Sequence, residues 1–125
     1  MLARTQAGGT LRIATPDVRF LFRLYREDRS ALEGEYIAWS SVECLGDKAP
    51  HTALGVINNY MRDWGHTFIY DPDTLRQSME AAGFAKITPK EVGESDNPAL
   101  GGLEYKARTP TAFYKLETFI LEAAK

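Results

Sequence analysis

Acid–base chemistry in this 125-residue chain centres on His66, which follows Trp64 and Gly65 and precedes the aromatic segment 68–70. A neutral imidazole takes up a proton near pH 7, so His66 can serve as a catalytic general base or contact a substrate. The position also suits a histidine that hydrogen-bonds the last carbonyls of a predicted helix and holds the next loop. The sequence leaves both interpretations open.

Other polar side chains could bind a substrate. Asn58, Asn59 and Arg62 lie on the polar side of a predicted helix, where they can bind a carboxylate, phosphate or sugar, or instead bond to neighbouring loops. Asp17 follows the first predicted strand at its carboxyl end, where open α/β sheets bind ligands; it equally fits the electrostatics of a helix start. Tyr70 is a further substrate-binding candidate and also suits a core anchor.

No metal site is predicted. Glu94, Ser95 and Asp96 form an acidic loop, but two acids without a histidine or a calcium-loop spacing favour a solvated turn. Cys44 is the single cysteine, so no intrachain disulfide can form, and a small buried apolar role is its default. Such cysteine usage fits a reducing cytosol, and we expect a cytoplasmic protein.

Composition excludes several classes of partner. Apolar residues make up 44% and charged residues 26%, which is typical of a globular protein, and the formal net charge is −2. No global field attracts nucleic acid or an anionic membrane, and no apolar run approaches the ~20 residues that span a bilayer. Four arginines favour a solvated helix face with Glu27 and Asp28. These are Arg19, Arg23, Arg26 and Arg29.

The elements that must position these residues begin with a strand at residues 10–15, after Gly8-Gly9. Thr15-Pro16-Asp17 then predicts a helix start, because it supplies a cap, a first-turn proline and an acid. A capping box at Ser30–Glu33 predicts a second helix to about Leu45. A third helix follows from Ala53 to Trp64, ended by Gly65, with apolar residues at helical spacing.

A fourth helix begins at Asp71-Pro72-Asp73 and ends at Gly83. Residues 85–92 predict a strand, 94–102 a loop, and 116–123 a buried central strand. The first strand should run parallel to the second, and the last two strands should be antiparallel. The sequence thus predicts one α/β domain over residues 1–125, with three strands, about four helices and a loose lead-in at residues 1–7.

Segments that cover nearly the whole chain from about Ala7 resemble the C-terminal half of a class I S-adenosylmethionine-dependent methyltransferase. They are GGTLRIATPD, INNYMRDWGHTFIYDPDTLRQSMEAAGF, GESDNP followed by GLE, and KLETFILEA. The stretch NNYMRDWGHTFIYD resembles small bacterial methyltransferases. The family has a Rossmann-like sheet of strand order 3-2-1-4-5-7-6, and the resemblance implies that the three predicted strands are its strands 5, 6 and 7. Lys106 departs from the family pattern, which favours histidine.

The resemblance also implies what these residues would lack. In the family, S-adenosylmethionine lies over the first half of the fold, on a glycine-rich turn and an acidic residue, and no residue here matches that site. The chain is therefore expected to supply only the side of a methyltransferase that binds a small-molecule acceptor, and to be inactive alone. The alternatives are a non-catalytic binding or dimerisation module, and an inert remnant of such an enzyme.

A partner is expected at the first strand. The resemblance puts residues 10–15 at an edge of the sheet, because the strand that usually lies beside them is absent. An apolar edge invites pairing with another chain. We therefore expect a homodimer, or an N-terminal partner chain, that covers this strand.

Overall fold

The computed structural model of the chain describes residues 9–63, 67–106 and 108–124. The predicted lead-in at residues 1–7 lies outside them. The strands are β1 (Thr10–Pro16), β2 (Ala85–Lys90) and β3 (Thr118–Ala124). The α-helices are α1 (Val18–Tyr25), α2 (Ala31–Ser40), α3 (Ala53–Arg62), α4 (Pro72–Ala81) and α5 (Thr111–Glu117). A π-helical segment spans Ser41–Leu45, and 3-10 turns span Pro98–Leu100 and Leu103–Lys106.

The chain divides into two compact units. The first, which we call the sheet unit, contains the chain up to Asp17 and again from Tyr70 onward. The second, the helical unit, is the continuous segment Val18–Ile69. The candidate residues Asp17 and Tyr70 therefore belong to one unit, and Asn58, Asn59 and Arg62 belong to the other.

The sheet unit is built on a three-stranded sheet of order β1-β3-β2. The central strand β3 is antiparallel to both neighbours, so β1 and β2 run in the same direction. The predicted antiparallel pairing of the last two strands is confirmed, as is the central position of the last strand. Three strands paired antiparallel make an α/β fold but do not define a Rossmann-like sheet, and that finer assignment stays a prediction.

One face of the sheet carries the core of its unit. Odd-numbered residues of β1 and β3 point to this face, as the two-residue period of a strand requires. They pack against Leu75 and Met79 of α4, both of which are 3% exposed. The strand residues in this core are Leu11, Ile13, Leu121 and Ala123.

Helix α4 begins and ends as its sequence predicts. The Asp71 carboxylate accepts a hydrogen bond from the Thr74 backbone N–H at 2.7 Å, and Pro72 occupies the first turn. Gly83 has a φ of 90°, a backbone conformation that residues with an L side chain rarely adopt. Glycine at this position therefore allows the helix to end without backbone strain.

In the helical unit, the predicted capping box is confirmed, whereas the predicted start of the first helix is wrong, because Thr15 and Pro16 belong to β1 and α1 begins at Val18. At the start of α2, the Glu33 N–H donates to Ser30 Oγ at 3.1 Å, and the Ser30 N–H donates to Glu33 Oε1 at 2.8 Å. The helix reaches the predicted end at Leu45, with its last turn π-helical. Helix α3 ends at Arg62, two residues before the predicted Trp64, and Gly65 lies outside the described residues.

The predicted strand over 116–123 starts too early. Helix α5 occupies Thr111–Glu117, and β3 begins at Thr118, whose backbone N–H still donates to Tyr114 O. A short apolar run fits a strand or a buried helix equally well by periodicity, which is why α5 was not predicted. The described residues thus hold one α-helix more than the four expected.

Candidate functional site

Aromatic rings hold the helices of the helical unit together. Phe20 of α1 is fully buried, and its ring meets Tyr36 of α2 edge-on at a centroid distance of 4.8 Å. A second edge-on contact joins Phe20 to Tyr60 of α3 at 6.2 Å. Such pairs contribute about 0.5–1.5 kcal/mol beyond the area they bury. They fix α2 and α3 against α1, so the outer faces of α1 and α3 keep a defined relation to each other.

These outer faces form an apolar groove. Helix α1 contributes residues at i, i+3, i+4 and i+7, and α3 contributes residues at i, i+3 and i+7, so each helix presents one continuous stripe. The cavity in the groove has a volume of about 240 Å³. Its lining residues are Val18, Leu21, Phe22, Tyr25, Leu54, Ile57 and Met61.

Large side chains in this groove are exposed. Phe22 is 71% exposed and Tyr25 67%, while Leu54 and Met61 are 57% and 54% exposed. A large aromatic side chain covers roughly 150–250 Å², so these four together leave a patch of about 400 Å² in water. The largest apolar patch on a typical monomer covers about 300–600 Å² and is often functional. The apolar groove is therefore the candidate functional site.

The three polar residues predicted on α3 do not form one set. Asn59 is buried, whereas Asn58 and Arg62 are exposed. The Asn58 side-chain amide donates to Leu54 O of its own helix at 3.0 Å. Arg62 follows the groove residue Met61 directly and has an exposed side chain. Of the three, Asn58 lies beside the groove stripe, because it is four residues after Leu54 and three before Met61, whereas Arg62 is turned about 100° round the helix from Met61.

The two substrate-binding candidates in the sheet unit, Asp17 and Tyr70, are buried and half-buried, respectively. Asp17 directly follows β1, as predicted, but it is only 5% exposed, and its backbone N–H donates to Glu117 O at 2.8 Å. Tyr70 is half-buried and packs on the core of the sheet unit. Tyr70 thus lies where a core anchor would and Asp17 directly precedes α1, and the substrate-binding role of each stays a prediction. His66, the predicted general base, lies outside the described residues, and its role stays a prediction.

A buried ionic cluster in the sheet unit was not foreseen. On the polar face of the sheet, Arg12 Nη1 donates to Glu122 Oε2 at 3.0 Å, and Arg12 Nε donates to Glu104 Oε1 at 3.0 Å. All three side chains are at most 5% exposed. The acidic loop joins them, because Ser95 Oγ donates to Glu122 Oε2 at 2.6 Å and the Asp96 N–H donates to Glu122 Oε1 at 3.1 Å.

This contact gives the acidic loop a role other than metal binding. Hydrogen bonds from Ser95 and the Asp96 backbone to Glu122 hold the loop against β3. An ion pair adds to them, since Lys90 Nζ lies 2.9 Å from Asp96 Oδ1. The signal that could have found the cluster is the direct pairing of Arg12 with Glu122 across β1 and β3. That pairing becomes visible only once the strand register is known.

Two further searches cover the described residues. No cluster of at least three His, Cys, Asp or Glu side chains that could hold a metal ion occurs among residues 9–63, 67–106 and 108–124. Within the same ranges, no helix has both the length and the apolarity that a membrane crossing requires.

Comparisons of the chain with protein-family models, curated proteins and solved structures return no match. The methyltransferase resemblance thus rests on the sequence segments alone. The apolar groove and the ionic cluster are assigned from geometry alone.

Proposed function

We propose that this chain forms the acceptor-binding side of an S-adenosylmethionine-dependent methyltransferase. The observation that supports the proposal most is the strand order β1-β3-β2 with an antiparallel central strand. The sequence resemblance implies that same order, 5-7-6, for its last three strands. An order in which the final strand inserts between two earlier ones is a specific requirement, because sequential strands usually lie side by side.

In this proposal the apolar groove receives the methyl acceptor. Its lining is apolar or aromatic throughout, apart from the Tyr25 hydroxyl, so it favours an acceptor with an aromatic or aliphatic body. Asn58, four residues after Leu54 and three before Met61, would hydrogen-bond a polar group on that body. The acceptor class is therefore an apolar or aromatic small molecule.

The described residues do not fit the methyl donor. S-adenosylmethionine sites of this kind use a glycine turn that lets the backbone approach the ligand closely. Here β1 enters α1 through Pro16 and Asp17, without a glycine, and Asp17 is buried. The proposal thus assigns donor binding, and with it catalysis, to residues outside those that the structure describes.

Ligand titration tests both halves of the proposal. By calorimetry, S-adenosylmethionine should give no saturable binding to the 125-residue chain, whereas a naphthalene probe such as 1-anilinonaphthalene-8-sulfonate should bind the groove with fluorescence enhancement. Phe22→Gln should weaken probe binding about fivefold, because an aromatic contact contributes about 1 kcal/mol. The matched control is Val42→Gln, since Val42 is 70% exposed and lies outside the groove lining.

Two results would contradict the proposal. Saturable one-to-one binding of S-adenosylmethionine would place a donor site within these residues. Equal probe binding by the Phe22→Gln and Val42→Gln variants would remove the groove as the ligand site.

A second candidate function is a non-catalytic binding module. The groove itself favours it, because apolar recognition by α1 and α3 requires no methyl donor. The two candidates differ in the fate of the ligand. A methyltransferase portion restores methyl transfer when the donor-binding residues are supplied, whereas a binding module retains ligand affinity and never modifies the ligand.

A further inference from the structure

The outer edge of β1 offers unused backbone hydrogen-bonding groups. Among the described residues, β1 pairs with β3 alone. The Asp17 N–H donates to Glu117 O, and the continuous β1–β3 register makes these two residues the next pair of the ladder after Pro16 and Thr118. In an antiparallel ladder, hydrogen-bonded and non-hydrogen-bonded pairs alternate. Leu11, Ile13 and Thr15 therefore bond to β3.

It follows that the even-numbered residues of β1 direct their backbone groups away from β3. Thr10, Arg12 and Ala14 each present an N–H and a C=O at the outer edge, and Pro16 presents a C=O alone. The same alternation applied to β3 places Pro89 in a non-hydrogen-bonded pair with Leu121. A proline can occupy that position because no ladder donor is needed there, which supports the assignment.

The two edges of the sheet differ in their ability to pair with a further strand. The outer edge of β2 carries Pro89 without a donor, a register irregularity between Ala85 and Thr88, and Lys86 with a φ of 50°. Prolines, bulges and lysines are the features that protect sheet edges from pairing. Along β1, Pro16 at the end of the strand is the single residue of this protective kind, and the register between β1 and β3 has no irregularity. The sheet therefore blocks one edge and leaves the other suited to strand addition.

We propose that two copies of this chain pair through β1, antiparallel about a two-fold axis that passes between their Ile13 residues. Arg12 of one copy then lies opposite Ala14 of the second copy, and Thr10 lies opposite Pro16. About six backbone hydrogen bonds form, since the donor of Pro16 alone is missing. Leu11 and Ile13 keep their core face, so the apolar face of the sheet continues across the axis.

Repulsion between like charges favours the register centred on Ile13 over the register centred on Arg12. A shift that centres the axis on Arg12 gives a similar number of hydrogen bonds but sets two arginines directly opposite each other, which is destabilising in a strand pair. Centring on Ile13 puts the small Ala14 opposite Arg12 instead. The Arg12 side chain then keeps its contacts with Glu104 and Glu122. The inference is argued from the edge of the sheet alone, and a donor-binding chain paired with β1 would compete with the second copy for that edge.

Amide hydrogen exchange tests the pairing without any substitution. At high protein concentration, the amides of Arg12 and Ala14 should exchange as slowly as those of Leu11 and Ile13. On dilution, Arg12 and Ala14 should lose protection while Leu11 and Ile13 retain theirs. Light scattering over the same concentrations should show the mass rising from that of one chain, 14.0 kDa, to twice that value.

A pair of variants isolates the backbone donor. Ala14→Pro removes an outward N–H without touching the β3 ladder, and it should hold the mass at one chain. Ala14→Val keeps the N–H and should dimerise like the native chain. Far-ultraviolet circular dichroism reports whether both variants fold. A native mass of one chain at every concentration, dimerisation of a folded Ala14→Pro variant, or protection of Arg12 and Ala14 that is independent of concentration would each overturn the proposal.

Discussion

Arg12 is the residue on which the polar face of the sheet depends. Its guanidinium contacts two buried carboxylates, those of Glu104 and Glu122, so the cluster carries a net negative charge away from water. One oxygen, Glu104 Oε2, is buried and accepts no hydrogen bond from the described residues. A buried charge set of this kind gives little net stability as a whole, yet losing one partner is costly because the other charges stay buried.

We predict that Glu122→Ala lowers the free energy of unfolding by about 3–5 kcal/mol, because it leaves Arg12 buried with half of its partners. The triple variant Arg12→Met/Glu104→Leu/Glu122→Leu should recover much of that loss, since it removes all three buried charges together. Urea denaturation measures the difference. The control is Asp28→Ala, which breaks the exposed pair with Arg26 and should leave stability nearly unchanged. Equal effects of Glu122→Ala and Asp28→Ala would contradict the prediction.

Tyr114 supplies a pH-dependent prediction beside the same cluster. Burial raises the pKa of its hydroxyl above the ordinary value of 10.0, and the nearby Glu104 carboxylate raises it further. The folded state thus holds the proton more tightly than the unfolded state. The resulting stability is complete below pH 10 and is lost as the pH rises through the raised pKa. In an ultraviolet titration of tyrosinate, the Tyr114→Phe variant should lose the absorbance change of one tyrosine that ionises above pH 10 in the native chain. A variant whose absorbance change above pH 10 equals that of the native chain would contradict the prediction.

At the scale of the element, two helical glycines give opposite predictions. A Cβ on Gly55, in the first turn of α3, would overlap the carbonyl oxygen of Pro50. A Cβ on Gly34, in α2, meets no atom within 4 Å. Alanine is favoured over glycine in a helix by about 1 kcal/mol. Gly34→Ala should therefore raise the free energy of unfolding by up to about 1 kcal/mol, while Gly55→Ala should lower it. Urea denaturation of the two variants side by side decides, and a stabilising Gly55→Ala would contradict the predicted overlap.

Helix starts were the elements most readable from the sequence. Ser30 and Asp71, both predicted as caps, bond to the first turn of their helices through their own side chains, and such caps depend on residues only two or three positions away. Helix α5 was missed because residues 116–123 are apolar on both faces, and such a run has no period that separates a helix end from a strand. Local chemistry thus predicts where an element begins better than where two elements divide a continuous apolar run.

The candidate site was harder to predict than the elements. The apolar stripe of α3 was visible at helical spacing, but its division into a buried side with Val56 and Tyr60 and an exposed side with Leu54 and Met61 depends on how α1 and α2 pack. The pairing of Arg12 with Glu122 needs the register of two strands that are 110 residues apart. Both features are products of tertiary packing, and no local pattern encodes them.

At the scale of the whole molecule, the two units differ in how they use the chain. The helical unit is one continuous segment, whereas the sheet unit joins a short segment before Val18 to a longer one from Tyr70 onward. The groove belongs wholly to the continuous unit and the outer β1 edge to the divided one. The ligand proposal and the pairing proposal therefore engage different units, so variants such as Phe22→Gln and Ala14→Pro should affect one property each.

The central position of β3 has a consequence for the order of events during synthesis. The ribosome makes β1 first and β3 last of the three strands, yet β1 and β2 meet only through β3. The nascent chain can complete the helical unit from local contacts while both outer strands wait unpaired. The sheet then assembles late, when β3 (Thr118–Ala124) leaves the ribosomal exit tunnel and pairs with β1 and β2, which have already been synthesised. Until that moment, β1 lacks the strand with which it pairs in the folded chain, and Leu11 and Ile13 lack their contacts with Leu121 and Ala123.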